Sequence, residues 1–99
     1  MNIITTDCTD YIRVIVEGRV DTNTTPQFQQ AILNAFQKNK DIVIDLLNVP
    51  LVSSAGLRAL LIGQKTAASK GGSMKLVNVS EVVMDVLEMS GFNTILTIE

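Results

Sequence analysis

Two adjacent hydroxyls, Ser53 and Ser54, stand at a predicted helix mouth in the run Val52-Ser53-Ser54-Ala55-Gly56-Leu57-Arg58. A serine becomes a nucleophile when an adjacent base takes its proton. The 99-residue chain has no histidine, so Lys65, further along, would have to serve. Asp21 and Asp45 are the other candidate pair, but a loop cap and a strand-end hydrogen bonder describe them better. Gly71-Gly72 lacks the G-x-x-x-x-G-K-[ST] pattern of a phosphate loop, and Gly18, Gly56, Gly63 and Gly91 match no dinucleotide fingerprint. The single cysteine, Cys8, excludes an internal disulfide and any Cys-rich zinc cluster. Neither an enzyme nor a cofactor or metal site is expected.

The serine pair still asks for an explanation. Serine is a preferred helix N-cap because its oxygen accepts from an orphan backbone N–H. One residue suffices for that, so the second hydroxyl is spare. Gly56 in the first turn costs up to about 1 kcal/mol of helix propensity, and its missing side chain lets another backbone approach closely. A phosphate at a helix N-terminus meets unpaired N–H groups and the positive end of the dipole. Modification there stabilises the helix, so any switching comes from conflict with a partner surface rather than from unfolding.

The elements that position this pair follow from periodicity. Residues 3–6 and 11–17 are β-prone runs, and the short polar separator 7–10 suits a hairpin. Residues 21–26 form a polar helix-opening loop. Thr24 as N-cap puts Gln27 at the third position, a capping box, and Thr25 followed by Pro26 is the alternative. Phe28, Ile32, Ala35 and Phe36 recur at helical spacing up to about Asn39. Residues 41–46 are apolar on both faces of their middle, which suits a central parallel strand covered by helices. A connection over 47–52 leads to the helix opened by Ser53-Ser54, which runs to about Ser69 before Gly71-Gly72 stops it. Residues 74–78 are a strand. Ser80 caps a helix through about Met89, with Val83, Val86, Leu87 and Met84 inward, and Ser90-Gly91 ends it. Phe92 and residues 95–98 form a last strand. The order β-β-α-β-α-β-α-β predicts an α/β fold, a mostly parallel sheet with an N-terminal antiparallel hairpin and helices packed on it.

Composition agrees with one core-rich domain over residues 1–99: 46% hydrophobic and 18% charged. Eight basic and ten acidic residues give a net charge of -2, so nothing favours nucleic acid or an anionic membrane. The N-terminus lacks the basic flank and apolar stretch of a signal peptide. Apolar runs stop at four or five residues, far short of the roughly 20 of a spanning helix. A cytoplasmic protein is expected.

Five segments together carry a resemblance. They are Gly18-Arg19-Val20-Asp21 with Thr24 and Pro26, then Ile42-Val43-Ile44-Asp45-Leu46, then Ser53-Ser54-Ala55-Gly56-Leu57-Arg58, and finally Lys75-Leu76-Val77-Asn78 and Met89-Ser90-Gly91-Phe92. In this order and spacing the chain resembles STAS domains of the anti-sigma factor antagonist type. The resemblance implies the STAS fold and a phosphorylation switch. The hydroxyl matching Ser54, with Ser53 as the alternative, is modified by an anti-sigma factor with serine kinase activity, and a metal-dependent serine phosphatase reverses it. The unphosphorylated form captures the kinase and frees the sigma factor. The loop Asp21, Thr22, Asn23 and Thr24 and the helix start Ser53, Ser54, Ala55, Gly56, Leu57 and Arg58 are the implied partner contacts. Many members carry an acidic residue before the acceptor and a serine after it, where this chain has Ser53 and Ala55. Members also usually continue with a helix after the last strand, whereas this sequence stops at Glu99. The alternative is a STAS adaptor subunit of a signalling or lipid-transport complex, with the serines acting only as caps. A monomer or weak dimer is expected.

Overall fold

Alternation decides which face of each strand is buried, and the computed structural model, which describes residues 1–99, shows it directly. Strand β1 (Asn2–Asp7) pairs antiparallel with β2 (Ile12–Glu17). Helix α1 (Thr25–Lys38) leads to β3 (Asp41–Asn48), α2 (Ser54–Ser69) to β4 (Ser73–Val77), and α3 (Glu81–Ser90) to β5 (Thr97–Ile98). The sheet order is β1-β2-β3-β4-β5, and β2 to β5 are all parallel. Ile12, Val14 and Val16 share a face with Ile42, Ile44 and Leu46 and with Met74 and Leu76. All are buried in one cluster with Phe28 and Ile32 of α1, Leu60 of α2, and Val83 and Leu87 of α3.

Strand order has a further effect. Each crossover steps to the next strand in the same direction. Crossovers of one hand that never reverse direction lay every helix on one face. The opposite face, with Arg13, Ile15, Val43, Lys75 and Val77, is only half-buried. Helices therefore cover the 41–46 strand, as its apolar run suggests, but on one side only. No helix is long and apolar enough to cross a membrane.

Two local expectations also change. Thr24 holds the N-cap position of α1 but makes no side-chain cap bond, so the capping box with Gln27 does not form. Its hydroxyl donates instead to Arg19 O at 2.8 Å and accepts from Asp21 N at 2.9 Å. The last strand is shorter than its apolar pattern suggests: Phe92–Thr94 is a 3-10 turn after the left-handed Gly91, and only Thr97–Ile98 pairs. Ser80 caps α3 as expected, accepting from Val83 N at 3.2 Å. Val83 and Leu87 are buried, while Val86 and Met84 are half-buried.

On the uncovered face Asp45 is only 8% exposed. Burial pushes its carboxyl up, but Leu47 N at 3.0 Å, Asn78 Nδ2 at 3.1 Å and Arg13 Nη2 at 2.8 Å all donate to it. These bonds hold it below the ordinary value of 3.8. Hydrogen bonds, led by Thr24 N–H for Asp21 and the Lys40 ammonium for Asp41, likewise lower those carboxyls. A carboxyl depressed in the fold adds stability above its unfolded value and loses it as pH falls. Stability should therefore decline below about pH 4. Asp45→Asn should cost about 2 kcal/mol at neutral pH and flatten that acid limb, because Arg13 loses its charged partner. Denaturant unfolding of both proteins between neutral pH and pH 3 checks this, and identical acid limbs would contradict it.

Candidate functional site

The C-terminal edge of the parallel sheet gathers the β2–α1 loop and the start of α2. An isolated parallel bridge between Val20 and Val52 ties the two together. Val20 N donates to Leu51 O at 2.9 Å, and Ser53 N donates to Val20 O at 2.8 Å. Gly56 rests on this bridge. A Cβ there would lie 2.7 Å from Cγ1 of both Val20 and Val52 and 3.3 Å from Val20 O. What crowds Gly56 is the chain itself, two valine methyls first and one backbone carbonyl behind them.

Asp21 organises the neighbouring loop. Its Oδ1 accepts from Asn23 N at 2.9 Å and Thr24 N at 3.0 Å, and Thr25 Oγ1 donates to Asp21 O at 2.6 Å. This Asx-type turn fixes the backbone and leaves Thr22 and Asn23 exposed, with Asp21 and Thr24 half-buried as supports.

The two serines separate by role. Ser53 is the N-cap of α2, with extended backbone (φ -83, ψ 175), and its Oγ accepts from Gly56 N at 3.5 Å. Ser54, the first helical residue, is exposed and its hydroxyl makes no hydrogen bond within the chain. No acidic residue occupies the first turn of α2. An open groove of about 580 Å³ runs past it, lined by Thr22, Gln29, Ser53, Ser54, Ala55, Arg58 and Ile62.

Of the predicted contacts, Thr22, Ser53, Ser54, Ala55 and Arg58 meet in this groove. Gly56 and Leu57 are buried and shape the helix start from beneath. Gln29 and Ile62 are additions. Ile62 was legible: it lies four residues beyond Arg58 and eight beyond Ser54, on one helical stripe. Gln29 was not, because only the packing of α1 beside α2 brings it in.

The groove assembles no proton relay. Lys65 is eleven residues beyond Ser54 in the same helix, about 16 Å along the axis. Asp45 is committed to Arg13, Leu47 and Asn78 on the uncovered sheet face. Asp21 is committed to its own loop. What remains is a bare hydroxyl at the positive end of a 16-residue helix, able to receive a group from outside.

Comparison with known proteins extends this picture. A family model described as "Mlab, STAS domain" matches residues 7–97. The anti-sigma-B factor antagonist of Bacillus subtilis (strain 168) is 28% identical over 87 residues, covering 88% of this chain and 80% of the relative. The crystal structure of an anti-sigma factor antagonist from Mycobacterium paratuberculosis superposes with a TM-score of 0.87 at 22% identity, over 98% of this chain and 83% of that one. The Bacillus cell fate determinant SpoIIAA in its phosphorylated form gives a TM-score of 0.75 at 17% identity, over 99% of this chain and 91% of that one. At such identities the solved structures speak for the fold, while the family match spans nearly every element described above. The chain belongs to the STAS domain family.

Proposed function

We propose that this chain is an anti-sigma factor antagonist whose binding is switched at Ser54. Unmodified, it captures an anti-sigma factor with serine kinase activity and so releases a sigma factor. The kinase phosphorylates Ser54, and a serine phosphatase restores the capturing form. The reading places the protein in the cytoplasm with its sigma factor. The observation that carries it is the division of labour at the start of α2: Ser53 supplies the cap, and the Ser54 hydroxyl is left exposed and unbonded. Thr22, Asn23 and Arg58 stand exposed in the loop and on the helix beside it.

The chemistry of the switch is electrostatic. A phosphoserine carries roughly -1.5 to -2 charges near neutral pH. At the first position of α2 it faces free N–H groups, and Arg58 is one turn on, at the spacing where side chains pair. The fold tolerates the phosphate, while a surface matched to a neutral hydroxyl does not. Incubation with an anti-sigma serine kinase and ATP should place one phosphate on the chain, mapped to Ser54 by mass spectrometry. Ser54→Ala should remove it. A Ser54→Ala protein phosphorylated as fully as the parent would overturn the assignment. Absence of phosphate on the parent under every condition would favour the adaptor reading instead.

A further inference from the structure

Helices α2 and α3 segregate their charge. Helix α2 with its C-cap holds Arg58, Lys65 and Lys70 and no acid. Helix α3 holds Glu81, Asp85 and Glu88 and no base. None of the six has an ion-pair partner within the chain, whose three ion pairs lie elsewhere. Helix α3 also sets two exposed apolar side chains among its charges, and α2 sets one. Val82 and Met89 of α3, seven residues apart on either side of Asp85, are 55% and 87% exposed. Ile62 of α2, between Arg58 and Lys65, is 39% exposed. Apolar groups rimmed by unpaired charge mark an interaction surface.

We propose that this surface binds a second copy of the chain, with α2 of each protomer against α3 of the other about a two-fold axis. Charge decides the pairing. Two copies of α2 face to face repel, as do two copies of α3, whereas the crossed arrangement sets cations against anions at both symmetry-related contacts. Ile62 then meets the Val82 and Met89 stripe. The attraction is between exposed groups, so it is screened within about 8–10 Å at ordinary ionic strength and the dimer is salt-sensitive. Ser54 lies on the same stripe as Arg58, Ile62 and Lys65. It follows, on the function proposed above, that a kinase and a second copy compete for this face, and that phosphate on Ser54, set against the acidic α3, opposes the dimer. The pairing itself does not depend on that reading.

Sedimentation equilibrium of the full chain, up to millimolar concentration at low and at high salt, is the test. The parent should dimerise at low salt and dissociate at high salt. Lys65→Glu and Asp85→Lys, both at exposed positions, should each raise the dissociation constant by roughly tenfold or more. Mixing the two variants should restore parental affinity, because the mixed dimer pairs opposite charges at both contacts. Circular dichroism verifies that each variant is folded. A parent that stays monomeric at low salt overturns the proposal. So does an association that neither variant weakens, which would move the contact to another face, or a mixture that fails to recover. A kinase that leaves Ser54 unmodified would count against the proposed function and not against this pairing.

Discussion

Ser54→Asp should weaken capture of the anti-sigma kinase by about a hundredfold, which is about 3 kcal/mol, and leave the thermal midpoint almost unchanged. Both halves come from the same geometry. Ser54 is exposed and bonded to nothing within the chain, so the fold loses no contact when its hydroxyl is replaced. A carboxylate at the first position of α2 lies at the positive end of the helix dipole, worth roughly 0.3–1 kcal/mol in its favour. Against a docked partner the same charge is desolvated without a counter-ion. Ser54→Ala, which removes the hydroxyl and adds no charge, should capture the kinase nearly as well as the parent. Isothermal titration calorimetry and thermal melts of the three proteins read both quantities. Parental affinity in the aspartate variant would sink the switch. A melting loss of many degrees would sink the placement of Ser54 at an open helix mouth.

Gly72→Ala should destabilise the protein by about 3 kcal/mol or more, a fall of roughly 15 °C in melting temperature for a domain of this size. The neighbouring Gly71→Ala should cost only about 1 kcal/mol. The two glycines close α2 together: Gly71 N donates to Ala68 O at 3.2 Å and Gly72 N to Ala67 O at 2.9 Å, the paired bonds of a Schellman motif. Gly71 is there for its backbone, at φ +67, and a Cβ on it would point into open space. Gly72 is there for its size. A Cβ on it would fall 1.8 Å from Lys40 O and 2.5 Å from Lys40 C, which are backbone atoms leading into β3. Relief requires moving β4 away from β3, at the point where Ser73 N donates to Lys40 O at 3.1 Å and Asp41 pairs with Ser73. Denaturant unfolding of the two variants side by side checks the ranking, and equal losses would contradict it.

The sequence by itself determined the element order, the buried residues Phe28, Ile32, Ala35 and Phe36 of α1, the Ser80 cap, the stop at Gly71-Gly72 and the serine pair at a helix mouth. All of these are local. They depend on side-chain period, on capping chemistry or on glycine, and each acts within a few residues of the position it governs. Only the tertiary structure decided what depends on elements distant in sequence. The apolar run 41–46 reads the same whether one face or both are covered. The unbroken strand order β1-β2-β3-β4-β5 is what puts every helix on one side. Thr24 reads as a cap, but Arg19 O and Asp21 N, placed by the turn before α1, engage its hydroxyl first. Gly56 reads as a weak helix residue, and its reason is the Val20–Val52 bridge beneath it. Capping preference alone allowed either serine to hold the helix. The backbone at Ser53 gave that task to one of them and left the Ser54 oxygen facing outward.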